Sequence, residues 1–244
     1  MRQFTATELL GTWEQGLPQP PSFRALTLLS LAGSGTPPEK LAELPLGWRD
    51  AELLRLREAA FGPRIKGMAA CPMCAQELEL NFNVSDIQVT LPATPPAALG
   101  LNLDGHEVRF RLPNSRDLMA LPGDGDEAGL KEWLLQRCVL EAKCDGRPTA
   151  SHELPADIQQ AISERMAEAD PQADLRLKLT CPQCGHGWHS PIDIAAFLWG
   201  ELHAWSVRLL REAHVIASTY GWPEADILAM SPWRRQAYLD LIGT

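Results

Sequence analysis

Two short cysteine motifs constrain this chain more than any other feature. Cys71-Pro72-Met73-Cys74 and Cys181-Pro182-Gln183-Cys184 share the pattern Cys-Pro-x-Cys, with 106 residues between them. A two-residue gap lets both thiolates of a pair point at one ion about 2.3 Å away, and two such pairs complete the tetrahedron that Zn2+ accepts. The spacing predicts one structural Zn2+ per chain, held by Cys71, Cys74, Cys181 and Cys184. A redox dithiol is the rival reading. Redox pairs normally open a helix, whose N-terminus lowers the thiol pKa, and neither pair here does so. A catalytic zinc is disfavoured because four thiolates leave no coordination position for water or substrate. His186 and His189 are alternative ligands, and the simpler reading makes them exposed imidazoles or neighbours of the ligands.

Each motif lies beside a run of period-two hydrophobicity. Leu78, Leu80, Phe82 and Val84 alternate with polar residues after the first pair, and Leu175, Leu177 and Leu179 alternate before the second. A two-residue period means a strand with one buried face, and a strand beside a cysteine knuckle is the arrangement of a zinc ribbon. Gly185 can take the positive φ of a tight knuckle, whereas Ala75 at the matching place fits less well. In ordinary ribbons about 15–20 residues separate the pairs, so the intervening chain is expected to be an insertion. It contains a strand over Val108, Phe110 and Leu112 and two helices. One runs from about Glu127 to Lys143 and ends at Asp145-Gly146; the other has Pro155 at its first turn and reaches about Ala169. The Pro-, Ala- and Gly-rich stretch 85–105 reads as a loop.

The flanks read as helical. Thr5 and Glu8 have capping-box spacing. The helix they open has its apolar face at Leu9, Leu10 and Trp13 and can end at Gly16; further helices are expected over Phe23–Ala32 and Gly47–Ala60, with breaks at Leu17–Pro21, Gly33–Pro38 and Gly62-Pro63. Near the other end Leu198, Leu202, Trp205, Leu209, Ala213, Ile216 and Tyr220 form one stripe of a helix about 28 residues and about 42 Å long, stopped at Gly221. A short helix follows over Pro223–Met230, and Ser231-Pro232 opens a last one through Leu241. The fold class is therefore α+β: a zinc ribbon with a large insertion, flanked by N-terminal helices and a C-terminal helical segment. The expected segments are 1–70, 71–191 and 192–244.

Composition narrows the function. The chain has 244 residues, of which 45% are hydrophobic and 22% charged, with 22 Lys+Arg against 31 Asp+Glu and a formal charge of -9. These are globular values. The acidic balance argues against nucleic acid, which calls for a net basic face, and against a polybasic membrane anchor. No apolar run reaches the roughly 18 residues of a spanning helix, and Met1–Glu8 does not read as a signal peptide. A cytoplasmic location is expected, where thiols stay reduced. Cys138 and Cys144 fall about 120° apart on the predicted helix, so they should not chelate together there; Cys138 reads as a core thiol. Gly123-Asp124-Gly125-Asp126-Glu127 lacks EF-hand spacing and reads as a solvated turn.

No nucleophile, phosphate loop or acid–base set stands out. Trp199, Trp205, Trp222 and Trp233 crowd the C-terminal helices. Packing explains them simply; a binding face is the sharper reading, because Trp and Arg dominate interface hot spots. On that reading Trp222, Trp233 and Arg234 are the candidate partner-binding anchors.

Several stretches resemble a known family. They are Cys181 to Trp188, Asp193-Ile-Ala-Ala-Phe-Leu-Trp199, Arg211-Glu-Ala-His214, Tyr220-Gly-Trp222 to Ile227-Leu228, and Ser231 through Arg234-Arg235 to Tyr238-Leu239. Together they resemble baseplate proteins of contractile-tailed phages of the T-even type and of phage-tail-like extracellular contractile injection systems. Leu44-Pro-Leu-Gly-Trp-Arg-Asp50 to Phe61-Gly62 resembles the same family's N-terminal half. The Tyr220-to-Leu239 run is also similar to the tail of baseplate-hub assembly chaperones. The resemblance implies a structural component or assembly factor rather than an enzyme. Its partners would be other baseplate or hub proteins, and it would be cytoplasmic or incorporated in the particle. The alternative of a different class is a zinc-ribbon nucleic-acid-binding or regulatory adaptor module.

Overall fold

The computed structural model describes residues 4–32, 37–122 and 126–242. In chain order the helices and strands are α1 (Ala6–Gly16), α2 (Pro21–Leu31), α3 (Pro38–Leu41), α4 (Leu46–Phe61), β1 (Arg64–Ala70), β2 (Glu77–Asn83) and α5 (Val84–Ile87). Then come β3 (Leu99–Leu103), β4 (His106–Phe110), α6 (Ser115–Met119), α7 (Glu127–Cys138), β5 (Val139–Cys144), β6 (Arg147–Pro148) and α8 (Ala156–Ala169). The last are β7 (Arg176–Thr180), β8 (Gly187–Pro191), α9 (Ile194–Tyr220), α10 (Glu224–Leu228) and α11 (Pro232–Ile242). Parts of two expected features, the break at 33–36 and the acidic turn at 123–125, lie outside the described residues.

The chain divides into two units, residues 1–33 with 195–244, and residues 34–194. These lines differ from the expected segments 1–70, 71–191 and 192–244. Helices α1 and α2 group with the C-terminal helices, while α3 and α4 group with the strands. Sequence order suggests contiguous segments; long-range packing decides otherwise.

In the first unit the capping box forms as its residues require. The Thr5 Oγ1 accepts the Glu8 N–H at 3.2 Å, and the Glu8 carboxylate accepts the Thr5 N–H at 2.9 Å. This satisfies two donors that a helix start leaves open. Helix α9 is 27 residues long. Its stripe is buried at Leu198, Leu202, Leu209, Ala213 and Ile216, and it stops at Gly221, whose φ of +69° suits a residue without a side chain. Ala213, Ile216 and Ile227 form a cluster with Trp222, Tyr238, Leu239 and Ile242 against it. The Ser231 hydroxyl accepts the Arg234 N–H at 3.3 Å and so opens α11. Arg235 is buried, donating to Glu212 at 3.1 Å and to the Met230 carbonyl at 2.7 Å.

In the second unit the strands form three antiparallel sheets: the hairpin β1–β2, a four-stranded sheet in the order β3-β4-β5-β6, and the hairpin β7–β8. The four-stranded sheet covers its apolar side with helices. Val108, Phe110, Leu135, Ala142, Leu154, Ile158 and Ile162 form the core, with Leu99, Leu101, Val139 and Met166 packed on it. The helix expected to run to Lys143 ends at Cys138, and Val139–Cys144 is the strand β5. Helical propensity yields here to pairing. Glu107 lies opposite Lys143, and Arg109 lies opposite Glu141, two oppositely charged cross-strand pairs. The stretch 85–105 is likewise more ordered than expected, holding α5 and β3. Two Asp-Gly turns, Asp104-Gly105 and Asp145-Gly146, have positive φ at all four residues, as two-residue hairpin turns demand.

Two buried polar groups tie loops to this frame. Asp170, just after α8, accepts the Gly47 N–H at 2.9 Å. It places a carboxylate at the start of α4, whose N-cap is Pro45 and carries no side-chain cap. A Cβ on residue 47 would collide with that carboxylate. Gln172 accepts the Val89 N–H at 2.6 Å and donates to the Ile87 carbonyl at 3.3 Å, holding the chain beyond α5.

Candidate metal centre

Both cysteine pairs sit at the tips of hairpins, between β1 and β2 and between β7 and β8. The sequence pattern shows β2 and β7; the outer strands β1 and β8 carry Gly67 and Pro191 and lack a long alternation. The two tips are built alike. Cys71 donates its N–H to the Gln76 carbonyl at 2.9 Å, and Ala75 donates to the Cys71 carbonyl at 2.9 Å. Cys181 donates to the His186 carbonyl at 2.8 Å, and Gly185 donates to the Cys181 carbonyl at 3.0 Å. In each tip the first cysteine is buried and the second exposed.

The four sulfurs all lie within 4.8 Å of one another. Cys71 Sγ is 3.7 Å from Cys184 Sγ, and Cys74 Sγ is 3.6 Å from Cys181 Sγ. A tetrahedral ion with ligands at about 2.3 Å has sulfur–sulfur edges of about 3.8 Å, so these separations suit a small divalent cation and are far too long for a disulfide. The thiols differ electrostatically. Burial works against the Cys181 thiolate, but the N–H groups of Cys184 and Gln183 and the neighbouring thiols bring its pKa down to about 7. At Cys74 the Gln76 N–H favours the thiolate, yet burial and the other three cysteines push the pKa up to about 12. A dication at the centre would resolve this crowding, since it stabilises all four thiolates at once.

Ala75 has φ +57° where Gly185 has +74°. A side chain in this left-handed region costs roughly 1–2 kcal/mol. Ala75→Gly is therefore expected to stabilise the protein by about 0.5–1 kcal/mol after the extra chain entropy of glycine. Denaturant unfolding of the metal-loaded protein checks this; an unchanged or lower midpoint would contradict it.

The other sequence-predicted residues fall as follows. His186 and Trp188 rings are stacked at 6.1 Å, and His189 lies on the exposed side of β8; the cluster of possible metal ligands found among the described residues contains neither histidine. Cys138 is buried, and burial pushes its thiol up to about 12. Cys144 is on β5, opposite His106. Trp222 stacks on Tyr220 at 4.7 Å and meets Tyr238 edge-on at 4.9 Å. Trp233 is 86% exposed. Arg234 is exposed and lies over the Tyr238 ring at 5.9 Å.

Sequence reasoning missed one charged cluster. Asp117 has a fully buried carboxylate that accepts from Arg111 at 2.6 and 2.8 Å, from Arg137 at 3.3 Å and from the Asn114 N–H at 3.0 Å. The Asn114-x-x-Asp117 capping box was the available signal.

The class defined by these observations is a mixed α/β protein of small antiparallel sheets with four thiols gathered from two hairpin tips. The family model of the T4 bacteriophage base plate protein matches residues 19–199, and the chain belongs to that family. The match takes in both cysteine pairs and ends before the Tyr220-to-Leu239 run. No curated protein and no solved structure shows a significant match. No helix among the described residues is long and apolar enough to cross a membrane.

Proposed function

We propose that the protein is a structural component or assembly factor of the baseplate of a contractile tail or contractile injection machine, working by protein–protein binding. The observation that carries this reading is the family match over residues 19–199. In this reading Cys71, Cys74, Cys181 and Cys184 hold one structural Zn2+, and the two hairpins make a zinc-ribbon-like unit into which the chain between β2 and β7, residues 84–175, is inserted. The role of the metal is to stabilise hairpins too small to bury a core of their own. Four thiolates close the coordination shell, which fits a non-enzymatic role.

The partner surface in this reading lies on the C-terminal helices. Trp233 is the best anchor, because an indole 86% exposed on α11 contributes little to packing and much to a contact. Arg234 stands beside it. Trp222, half-buried against Tyr220 and Tyr238, supports the helix tail that carries them. Trp233→Ala and Arg234→Ala are expected to leave the melting temperature unchanged and to abolish co-purification with other baseplate proteins of the same machine. Trp222→Ala is expected to cost about 2 kcal/mol of stability. Particles that assemble and inject normally with both Trp233→Ala and Arg234→Ala would reject this surface.

A further inference from the structure

We propose that β3 is a self-pairing edge, through which two copies of the chain join their four-stranded sheets antiparallel across a two-fold axis at Leu101. The inference is independent of the baseplate reading and rests on the second unit alone.

The sheet order β3-β4-β5-β6 leaves two edges. The β6 edge is two residues long and contains Pro148, which removes a donor and blunts pairing. The β3 edge is Leu99-Gly100-Leu101-Asn102-Leu103, with no charge and no proline. The edges of the paired hairpins are guarded differently. β1 carries Arg64 and Lys66, β2 carries Glu77 and Glu79, β7 carries Arg176 and Lys178, and β8 carries His189 and Pro191. Charged or proline-bearing edges are how natural sheets avoid edge-to-edge association. Among the described edge strands, β3 alone lacks such a guard.

The hydrogen-bond phase of β3 follows from its turn. A two-residue Asp104-Gly105 loop closes on a hydrogen-bonded Leu103–His106 pair. Leu99, Leu101 and Leu103 therefore turn their N–H and C=O groups toward β4, and Gly100 and Asn102 turn theirs away from it. Both residues are exposed, and a side chain added at Gly100 would meet open space.

A second β3 satisfies these groups without a clash. In an antiparallel pairing centred on Leu101, Gly100 of one copy lies opposite Asn102 of the other, and both exchange hydrogen bonds. Leu99 then lies beside Leu103 of the other copy on the apolar side. Leu99 and Leu101 already pack on the core, while Leu103 is 37% exposed and would gain cover. No like charges meet along the strand. Self-complementarity of this kind is what a two-fold interface requires, and it commits the edge to a second copy rather than to an extended peptide of another protein. Five paired residues are a small contact beside the roughly 1,200–2,000 Å² of a stable interface, so the dimer should be weak and concentration-dependent.

Sedimentation and residue-resolved amide exchange of the full chain, from micromolar to millimolar, test the proposal. The expected result is a monomer–dimer equilibrium in which the Gly100 and Asn102 amides become protected as the dimer fills. Asn102→Pro removes one outward donor and Asn102→Lys adds an edge charge; both should abolish the dimer and the protection while leaving the melting temperature near that of the parent. Three results would overturn the proposal: a monomer throughout with both amides exchanging freely, a dimer in which they stay unprotected, or protection only when another baseplate protein is added.

Discussion

Cys181→Ala protein is expected to lose its metal and, with it, the folded state of the two hairpins. Structural zinc in small sites contributes about 10–16 kcal/mol of apparent binding free energy, as large as the about 5–15 kcal/mol that keeps a typical protein folded. The hairpins have little else to hold them. Each is a two-stranded sheet, and such sheets are marginal in water on their own. Circular dichroism melts and metal content of the purified variant measure the effect. The same loss is expected for the parent after exhaustive chelation, and zinc should restore the parent but not the variant. A metal-free Cys181→Ala protein that melts with the parent would sink the structural-zinc reading.

Asp117→Ala should destabilise the four-stranded unit by about 2–3 kcal/mol, the cost of losing a buried carboxylate's charge-assisted hydrogen bonds from two guanidiniums that themselves reach solvent. The carboxylate has no exposed surface, and two guanidiniums and a backbone N–H converge on it. Burial alone would raise its pKa. The Arg111 hydrogen bonds and the Asn114 N–H outweigh burial and hold the group below the usual carboxylate value of 3.8. The sign of the pH dependence follows. The stabilisation is fully present above the unfolded-state pKa and is lost as pH falls through the lower folded value. Denaturant unfolding at neutral pH and below pH 4 should show a large difference between parent and variant at neutral pH that shrinks in acid. Equal stabilities at neutral pH would contradict the account.

How far the sequence was legible depends on whether the signal was local. The knuckles are local: two Cys-Pro-x-Cys motifs and a glycine at 185 predict both tips, and the four sulfurs converge as the spacing implies. Helix α9 is local too, since a seven-residue stripe and a terminal glycine define it. The α+β class is legible for the same reason, through changes of hydrophobic period. Strand β5 is not local. Val139–Lys143 continues a helical pattern, and its extended form rests on pairing with β4 and on the packing of Val139 and Ala142 in the sheet's core. β3 was hidden by Gly100 and Asn102, poor strand formers, although Asp104-Gly105 marks its hairpin. The grouping of α1 and α2 with the C-terminal helices, with α4 elsewhere, leaves no trace in sequence order. The Asp117 cluster joins α6, α7 and the residue after β4, so no single window contains it.

Zinc K-edge X-ray absorption on the purified full chain, with elemental analysis of the same sample, tests the central claim most directly. The account predicts one Zn2+ per chain with four sulfur neighbours at about 2.3 Å. A shell containing histidine nitrogen from His186 or His189, an oxygen neighbour from water, or fully folded protein with no bound metal would contradict it.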